Sequence, residues 1–345
     1  MASNSPAPVG PVPFLDTEKD DHQVGSDVPP FPLPDDHEHE VVVVSELPSK
    51  LLAGIPQISL RRYQGFWLPE SWVPAAVSIQ RRFKPRPDDV IISSLPKCGT
   101  TWLVALAFAT MARHAYPPSG ADHPLLRLNP HQCIPFLEGV FLGGRGREER
   151  LEALPSPRLV NTHMPHAMIA CCSRVVYICR EPKDMVVSMW HYLRTVHPQL
   201  SLQDTLDSVC GGASRCGPFW DHALGYWRAS VATPDRVLFL RYEELLRDPA
   251  GNVRRLAQFV GQPFSPAEEE AGVLGDVVRL CSLDNLRSLE VNKTGIVGPL
   301  LKTPRKALFR KGVVGDWVNH MTPEMARLMD DVVAHKLRDT GLHFK

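Results

Sequence analysis

Val90-Ile91-Ile92-Ser93-Ser94-Leu95-Pro96-Lys97-Cys98-Gly99-Thr100-Thr101-Trp102 is the stretch on which the fold turns. Its first five residues, 90–94, are a short apolar run bounded by turn residues and read as a buried strand. Residues 99–114 read as the helix that follows. Between them Gly99 lets the backbone turn tightly. The first-turn N–H groups of a helix have no partner within it, so they point at an oxyanion. Thr100 and Thr101 add hydroxyl donors, and Lys97 adds a mobile positive charge. The stretch therefore predicts a site for a phosphorylated nucleotide at a helix N-terminus, against the plainer reading of a capped helix whose lysine is surface charge. It is not the GxxxxGK[ST] loop of nucleoside triphosphatases: it is shorter, its lysine precedes the glycine, and no strand carries an obvious acidic Mg²⁺ ligand. The Trp102 indole is either core or a face on which a base stacks.

Outward from this loop the chain alternates strands and helices. Arg158-Leu159-Val160-Asn161-Thr162, Val175-Val176-Tyr177-Ile178-Cys179 and Arg236-Val237-Leu238-Phe239-Leu240 are further strands. Pro182 opens a helix that continues through 184–196, and another helix follows 240 and ends near Gly261. Pro266 begins an acidic first turn, and Thr322-Pro323-Glu324 caps the last helix. The expected fold is α/β: a single domain with a central parallel sheet flanked by helices on both faces. Ligands of such sheets bind beyond the carboxyl ends of the strands. His163, in Thr162-His163-Met164-Pro165, sits at such an end, with an ordinary pKa suited to proton transfer. Arg180 leaves the next strand where a guanidinium can grip a phosphate in bidentate fashion, and Ser188 follows from the helix after it. Lys183 and Asp184 pair with each other as a structural feature. Arg310-Lys311-Gly312 offers two charges and an approachable amide. Several anion sites in one domain suggest a ligand with phosphates at two places.

Composition narrows the class. In 345 residues, 43% hydrophobic and 22% charged, Lys plus Arg equals Asp plus Glu at 38 each. No global field then favours nucleic acid or an anionic membrane. No apolar run approaches the roughly 18 residues that span a bilayer, and no signal or transit peptide is evident at the N-terminus. The eight cysteines include no CxxC pair, and the adjacent Cys171-Cys172 suits neither a chelate nor a bridge. They read as buried thiols of a reducing, cytoplasmic compartment. Residues 1–45, rich in Pro, Asp, Glu and His, read as a disordered tail, and 46–345 as the folded domain. The acidic run at 35–40 reads as solvated charge rather than a metal site.

Together these residues resemble the cytosolic sulfotransferases, which move a sulfonate group from 3′-phosphoadenosine-5′-phosphosulfate (PAPS) to an acceptor. The resemblance rests on PKCGTTW at 96–102, THMP at 162–165, YICREPKDMVVS at 177–188 and GPFWDHALGYW at 217–227. It continues through RYEEL at 241–245, CSLDNL at 281–286 and RKGVVGDW at 310–317. VNKTG at 291–295 together with CSLDNL looks most like the plant branch. The resemblance implies a P-loop-like nucleotide-binding fold and PAPS as co-substrate, with no metal. It implies that Lys97, Cys98, Gly99, Thr100 and Thr101 hold the 5′-phosphosulfate and that Trp102 stacks on adenine. Arg180, Ser188 and Arg310, Lys311 and Gly312 would hold the 3′-phosphate; Tyr242 and the stretch Cys281 to Leu283 would contact the adenine. His163 would be the base, and Lys97 would assist departure of the phosphate.

Sulfuryl transfer resembles phosphoryl transfer, an in-line displacement with little covalent work for the protein, but the group carries less charge, so Mg²⁺ is not required. Some positions depart from the family pattern. Cys98 replaces a frequent Ser, Glu181 stands where Asn is usual, and Asn161 stands where many animal members have Lys. Val318 and Pro323 break the animal dimer motif, so a monomer or weak dimer is expected. Two other readings are a nucleotide kinase, or other phosphoryl-transfer enzyme, and a non-catalytic protein that binds the adenosine bisphosphate. The acceptor is expected to be a small apolar or phenolic hydroxyl compound: a flavonoid, a steroid or a jasmonate-like hormone. Its pocket would draw on residues 63–67, 136–141 and 291–309.

Overall fold

The computed structural model describes residues 10–15, 42–169, 173–297 and 302–344. The acidic run at 35–40, Cys171-Cys172, most of the expected tail, and 298–301 of the expected acceptor loop lie outside the described residues.

Strands β1 (Ser49–Leu52), β2 (Ile55–Tyr63) and β3 (Phe66–Pro69) form an antiparallel meander. The central sheet follows, from β4 (Val90–Ser94), β5 (Leu159–Thr162), β6 (Arg174–Cys179) and β7 (Val237–Arg241). Its order is β5-β4-β6-β7 and every pairing is parallel. Described helices of ten or more residues are α1 (Val73–Arg82), α2 (Thr100–Met111), α3 (Pro182–Arg194), α4 (Phe219–Ala232), α5 (Pro249–Phe259) and α6 (Pro323–Lys336).

The apolar runs of the four strands are continuous because both faces of the sheet are buried, and alternation sorts them. Ile91, Val160, Val175, Tyr177 and Phe239 point to one core with Val186 and Val187 of α3 and Phe219 and Ala223 of α4. Val90, Ile92, Val176, Ile178 and Leu240 point to the other, with α2 and with Val253 and Leu256 of α5. Helix α2 is apolar all round and almost wholly buried, as expected of a helix covered on every side. Pro182 opens α3 with the Glu181 side chain as its cap, and Thr322 caps α6.

Two details depart from the sequence expectation. After β7 the chain forms two helices, not one. A short helix Tyr242–Arg247 ends at Asp248, whose carboxylate accepts from the Gly251 N–H and caps α5, with Pro249 at its first position. Proline has no N–H to continue the first helix. Residues 10–15, expected within the disordered tail, lie against the domain. Phe14 and Leu15 are 3% and 7% exposed, and their N–H groups donate to the carbonyls of Cys133 (3.1 Å) and Gln132 (2.9 Å). Two buried apolar side chains and two backbone bonds offset the ordering cost of a short, proline-stiffened stretch.

Candidate active site

The register of the sheet builds the site. Ser93 pairs with Thr162 on one side and Tyr177 on the other, so the strands β4, β5 and β6 end side by side. Three loops therefore converge: Leu95 to Gly99, His163 to Pro165, and Arg180 onward. A cavity of about 490 Å³ opens above them. Lys97, Thr100, Thr101, Trp102, Arg180, Ser188, Tyr242, Leu283 and Arg310 line it together with His163.

The loop before α2 turns with Lys97 at φ 72° and Gly99 at φ 104°. Gly99 is required twice over: its φ is left-handed, and a Cβ there would stand 2.7 Å from the Tyr242 ring. The amides of Thr100, Thr101 and Trp102 lie in the first turn, where a helix supplies no acceptor. The hydroxyls are already engaged, Thr100 with Ser94 Oγ (2.6 Å) and Thr101 with His131 Nε2 (2.9 Å). Lys97 Nζ lies 4.2 Å from the centre of the Tyr192 ring. Burial, together with the charges of Arg180, Arg310 and Arg215, lowers its pKa to about 7. A cation so crowded by cations is stabilised by an anion. Cys98 behaves differently from its neighbours. Its thiol is buried in the core beneath the loop and its N–H donates to the Leu95 carbonyl (3.3 Å), so neither group faces the cavity.

His163 is held from every side. Its N–H donates to Glu138 Oε1 (2.6 Å), which also accepts the Thr162 hydroxyl (3.0 Å). Its carbonyl accepts from His222 Nε2 (3.0 Å), and His222 Nδ1 in turn accepts from the Tyr177 hydroxyl (3.0 Å). Its ring stacks on Trp72 at 6.2 Å and 7°, with Phe136 edge-on at 5.4 Å. The ring nitrogen Nδ1 lies 2.8 Å from the Ser94 carbonyl. A carbonyl only accepts, so Nδ1 carries the proton and Nε2 is left as a proton acceptor. Burial lowers the His163 pKa to about 3, against the pull of the Ser94 carbonyl, so the ring is neutral throughout the physiological range.

Arg180 packs over the Tyr242 ring at 4.5 Å and donates to the Val313 carbonyl (3.0 Å). Its buried Nε has no hydrogen-bond partner among the described residues, and neither has Trp102 Nε1. Trp102 meets Tyr242 edge-on at 5.8 Å. Arg310 and Lys311 both bind Asp316, at 2.5 and 2.7 Å. The sequence reading left them free. Asp184 does not pair with Lys183, as the sequence suggested. It accepts from the N–H groups of Gly315 (2.7 Å) and Trp317 (3.0 Å), pinning the 310–317 segment to α3, while Lys183 pairs with Glu181 and Asp330. Glu181 is thereby turned toward Lys183. At Gly312 (φ 66°) a Cβ would stand 2.4 Å from the Leu283 side chain. Cys281 is fully buried behind that wall, so only Leu283 of that stretch reaches the cavity.

Sequence reasoning missed Ser94, Glu138, Trp72, His131 and Arg215. Arg215 lines the cavity with its guanidinium 5.1 Å from the Trp72 ring. Of the stretches expected at the acceptor, Phe136, Gly139, Val140, Ile296, Val297 and the 305–309 region line the cavity. Residues 63–67 do not: the Tyr63 hydroxyl, on the β2–β3 hairpin, donates to Gln80 Oε1 of α1 instead.

Residues 87–341 match the sulfotransferase domain. This chain belongs to the sulfotransferase family. It is 39% identical over 322 residues to cytosolic sulfotransferase 5 of Arabidopsis thaliana, covering 90% of this chain and 98% of that protein. It is 38% identical to the flavonol 3-sulfotransferase of Flaveria bidentis, over 88% of this chain and 99% of that one. Among solved structures, a mouse sulfotransferase complexed with PAP superposes with a TM-score of 0.63 at 27% identity, covering 81% of this chain and 94% of that chain. The plant-type sulfotransferase expected from the motifs, with its P-loop-like α/β fold, is therefore what the chain is. Among the described residues no helix is long and apolar enough to cross a membrane.

Proposed function

We propose that this sulfotransferase carries a sulfonate group from PAPS to the hydroxyl of a small apolar or phenolic acceptor in the cytosol, with His163 as general base. The observation that carries the reading is the hydrogen bond from His163 Nδ1 to the Ser94 carbonyl, which leaves Nε2 to accept a proton in the cavity lined by the Lys97 loop.

The residues fit the donor. The glycine cradle at Gly99 admits no side chain, and the buried Arg180 Nε and Trp102 Nε1 lack hydrogen-bond partners among the described residues. Lys97 and the amides of Thr100, Thr101 and Trp102 would hold the 5′-phosphosulfate, with Trp102, Tyr242 and Leu283 at the adenine. Arg180, Ser188, Arg310, Lys311 and Gly312 would hold the 3′-phosphate, the last three supported by Asp316 and Asp184. When bound, the donor supplies an activated sulfonate on a phosphate leaving group. His163 Nε2 accepts the proton of the acceptor hydroxyl as its oxygen attacks sulfur. Lys97, charged by its anionic neighbour, stabilises the negative charge that grows on the departing phosphate. The converging loops hold both reactants in line. Trp72, Phe136 and Val140 give the acceptor an aromatic and apolar setting, and the flavonol sulfotransferase relative supports a phenol.

The test offers the purified chain two labelled donors with a panel of phenols and steroid alcohols: PAPS carrying ³⁵S with chelator present, and ATP carrying a labelled γ-phosphate with Mg²⁺. Label is expected on an acceptor from the first alone. Transfer from ATP and none from PAPS would establish the phosphoryl-transfer alternative.

A further inference from the structure

The cavity wall includes side chains from outside the sulfotransferase domain match at 87–341: Trp72, and Phe14 and Leu15 of the segment 10–15. This segment is docked rather than merely adjacent. Gly10 lies so close to the end of α2 that a Cβ would stand 2.6 Å from the Met111 carbonyl oxygen. Pro11 and Pro13 are buried and keep the backbone extended. The N–H groups of Phe14 and Leu15 bond Cys133 and Gln132, at the end of the short helix Pro130–Cys133. That same helix carries His131, which bonds Thr101 of the phosphate loop. Phe14 also receives the Arg150 guanidinium, 5.4 Å from its ring.

Phe14 and Leu15 face the cavity that His163, Trp72 and Phe136 line. They join the apolar cluster that holds Trp72 and Val140. We propose that Phe14 and Leu15 are specificity-determining residues: they close the acceptor part of the cavity and set the largest acceptor it admits. The inference rests on the reading of this cavity as the site where donor and acceptor meet. Its physical basis is plain. Two apolar side chains that fill space in the cavity exclude any acceptor that needs the same volume. A hydrophobic wall of this kind discriminates by size, at about 10–200-fold for a methylene-scale difference.

The experiment compares the wild type with Phe14→Ala/Leu15→Ala and with Gly10→Val, which detaches the segment without altering a cavity-lining side chain. The probes are 4-nitrophenol, with one ring, and 3-hydroxyflavone, with three. In both variants the ratio of kcat/KM for the flavonol over that for the nitrophenol is expected to rise at least about tenfold. Binding of 3′-phosphoadenosine-5′-phosphate (PAP) is expected to stay within about twofold, which also certifies the fold. An unchanged ratio with intact PAP binding would overturn the proposal and leave the segment a structural anchor. Should the wild type sulfonate neither phenol, the reading of the reaction fails separately. Flavonol binding to the PAP-saturated chain, followed by tryptophan quenching, then reads the wall by itself: tighter binding in the variants supports it and equal binding overturns it. Leu15→Trp supplies the converse, weakening the flavonol while sparing the nitrophenol.

Discussion

At the scale of single residues, the candidate base owes its geometry to groups far away in sequence. Glu138 is fully buried, and one of its oxygens accepts both the His163 N–H and the Thr162 hydroxyl. Burial raises its pKa from the ordinary 4.5 to about 7, against the pull of those hydrogen bonds. Between those two values the unfolded chain releases this proton and the folded chain keeps it. The unfolded state then binds fewer protons, so this group makes stability fall as pH rises from about 4.5 to 7. The loss is on the order of 3 kcal/mol. Glu138→Gln keeps an accepting oxygen but cannot ionise. Urea unfolding at pH 5 and pH 8 should therefore show a smaller loss of stability with pH in Glu138→Gln than in the wild type. An equal loss in both would mean the carboxyl is not held neutral. None of this was legible in the sequence, because a lone Glu in an apolar stretch carries no sign of its partner. His163 was legible, since the end of a predicted strand gave it an address.

At the scale of the element, the unit strand–loop–helix at 90–111 was the most legible part of the chain. Its signals are local: an apolar β-branched run, a glycine, and a helix-forming sequence after it. The strand matches residue for residue, and the helix ends three residues earlier than expected, at Met111. What the sequence could not supply was the neighbour that makes the loop rigid. Tyr242, the first residue of the short helix after β7, packs on Gly99, stands edge-on to Trp102 and lies beneath Arg180. Gly99→Ala thus meets both a left-handed φ and a 2.7 Å contact with the Tyr242 ring. It should destabilise the fold by about 2 kcal/mol or more, since a left-handed φ alone costs roughly 1–2 kcal/mol. PAP affinity should fall at least tenfold, as calorimetry would show; unaltered affinity would mean the loop amides are not the binding groups. Cys98 and Cys281 mark the limit of carrying a motif over whole. Each stands in a matching stretch, yet each side chain turns into the core while its neighbours face the cavity.

At the scale of the whole molecule, function depends on which loops the sheet order brings together. The order β5-β4-β6-β7 sets the His163 and Arg180 loops on either side of the phosphate loop. Alternation of strands and helices made the α/β class legible, because both-face burial leaves continuous apolar runs in sequence. The contribution of residues 10–15 was not legible. A few apolar residues among prolines have no period, and their burial follows from a groove that exists only after the domain has folded. The same is true of the 310–317 segment. Its basic triplet is visible in sequence, but Asp184 and Asp316, which fix it, are recognisable only in three dimensions.

The central claim is a division of labour within one cavity, with the Lys97 loop and Arg180 holding the donor and His163 accepting the acceptor's proton. It is tested most directly by His163→Ala, assayed in parallel for sulfonate transfer from labelled PAPS and for equilibrium binding of PAP. Transfer should fall by at least about 100-fold, the usual contribution of a positioned base, while PAP binding stays within about twofold. Retained turnover would remove His163 from the chemistry, and a large loss of PAP affinity would place it with the donor-binding groups instead.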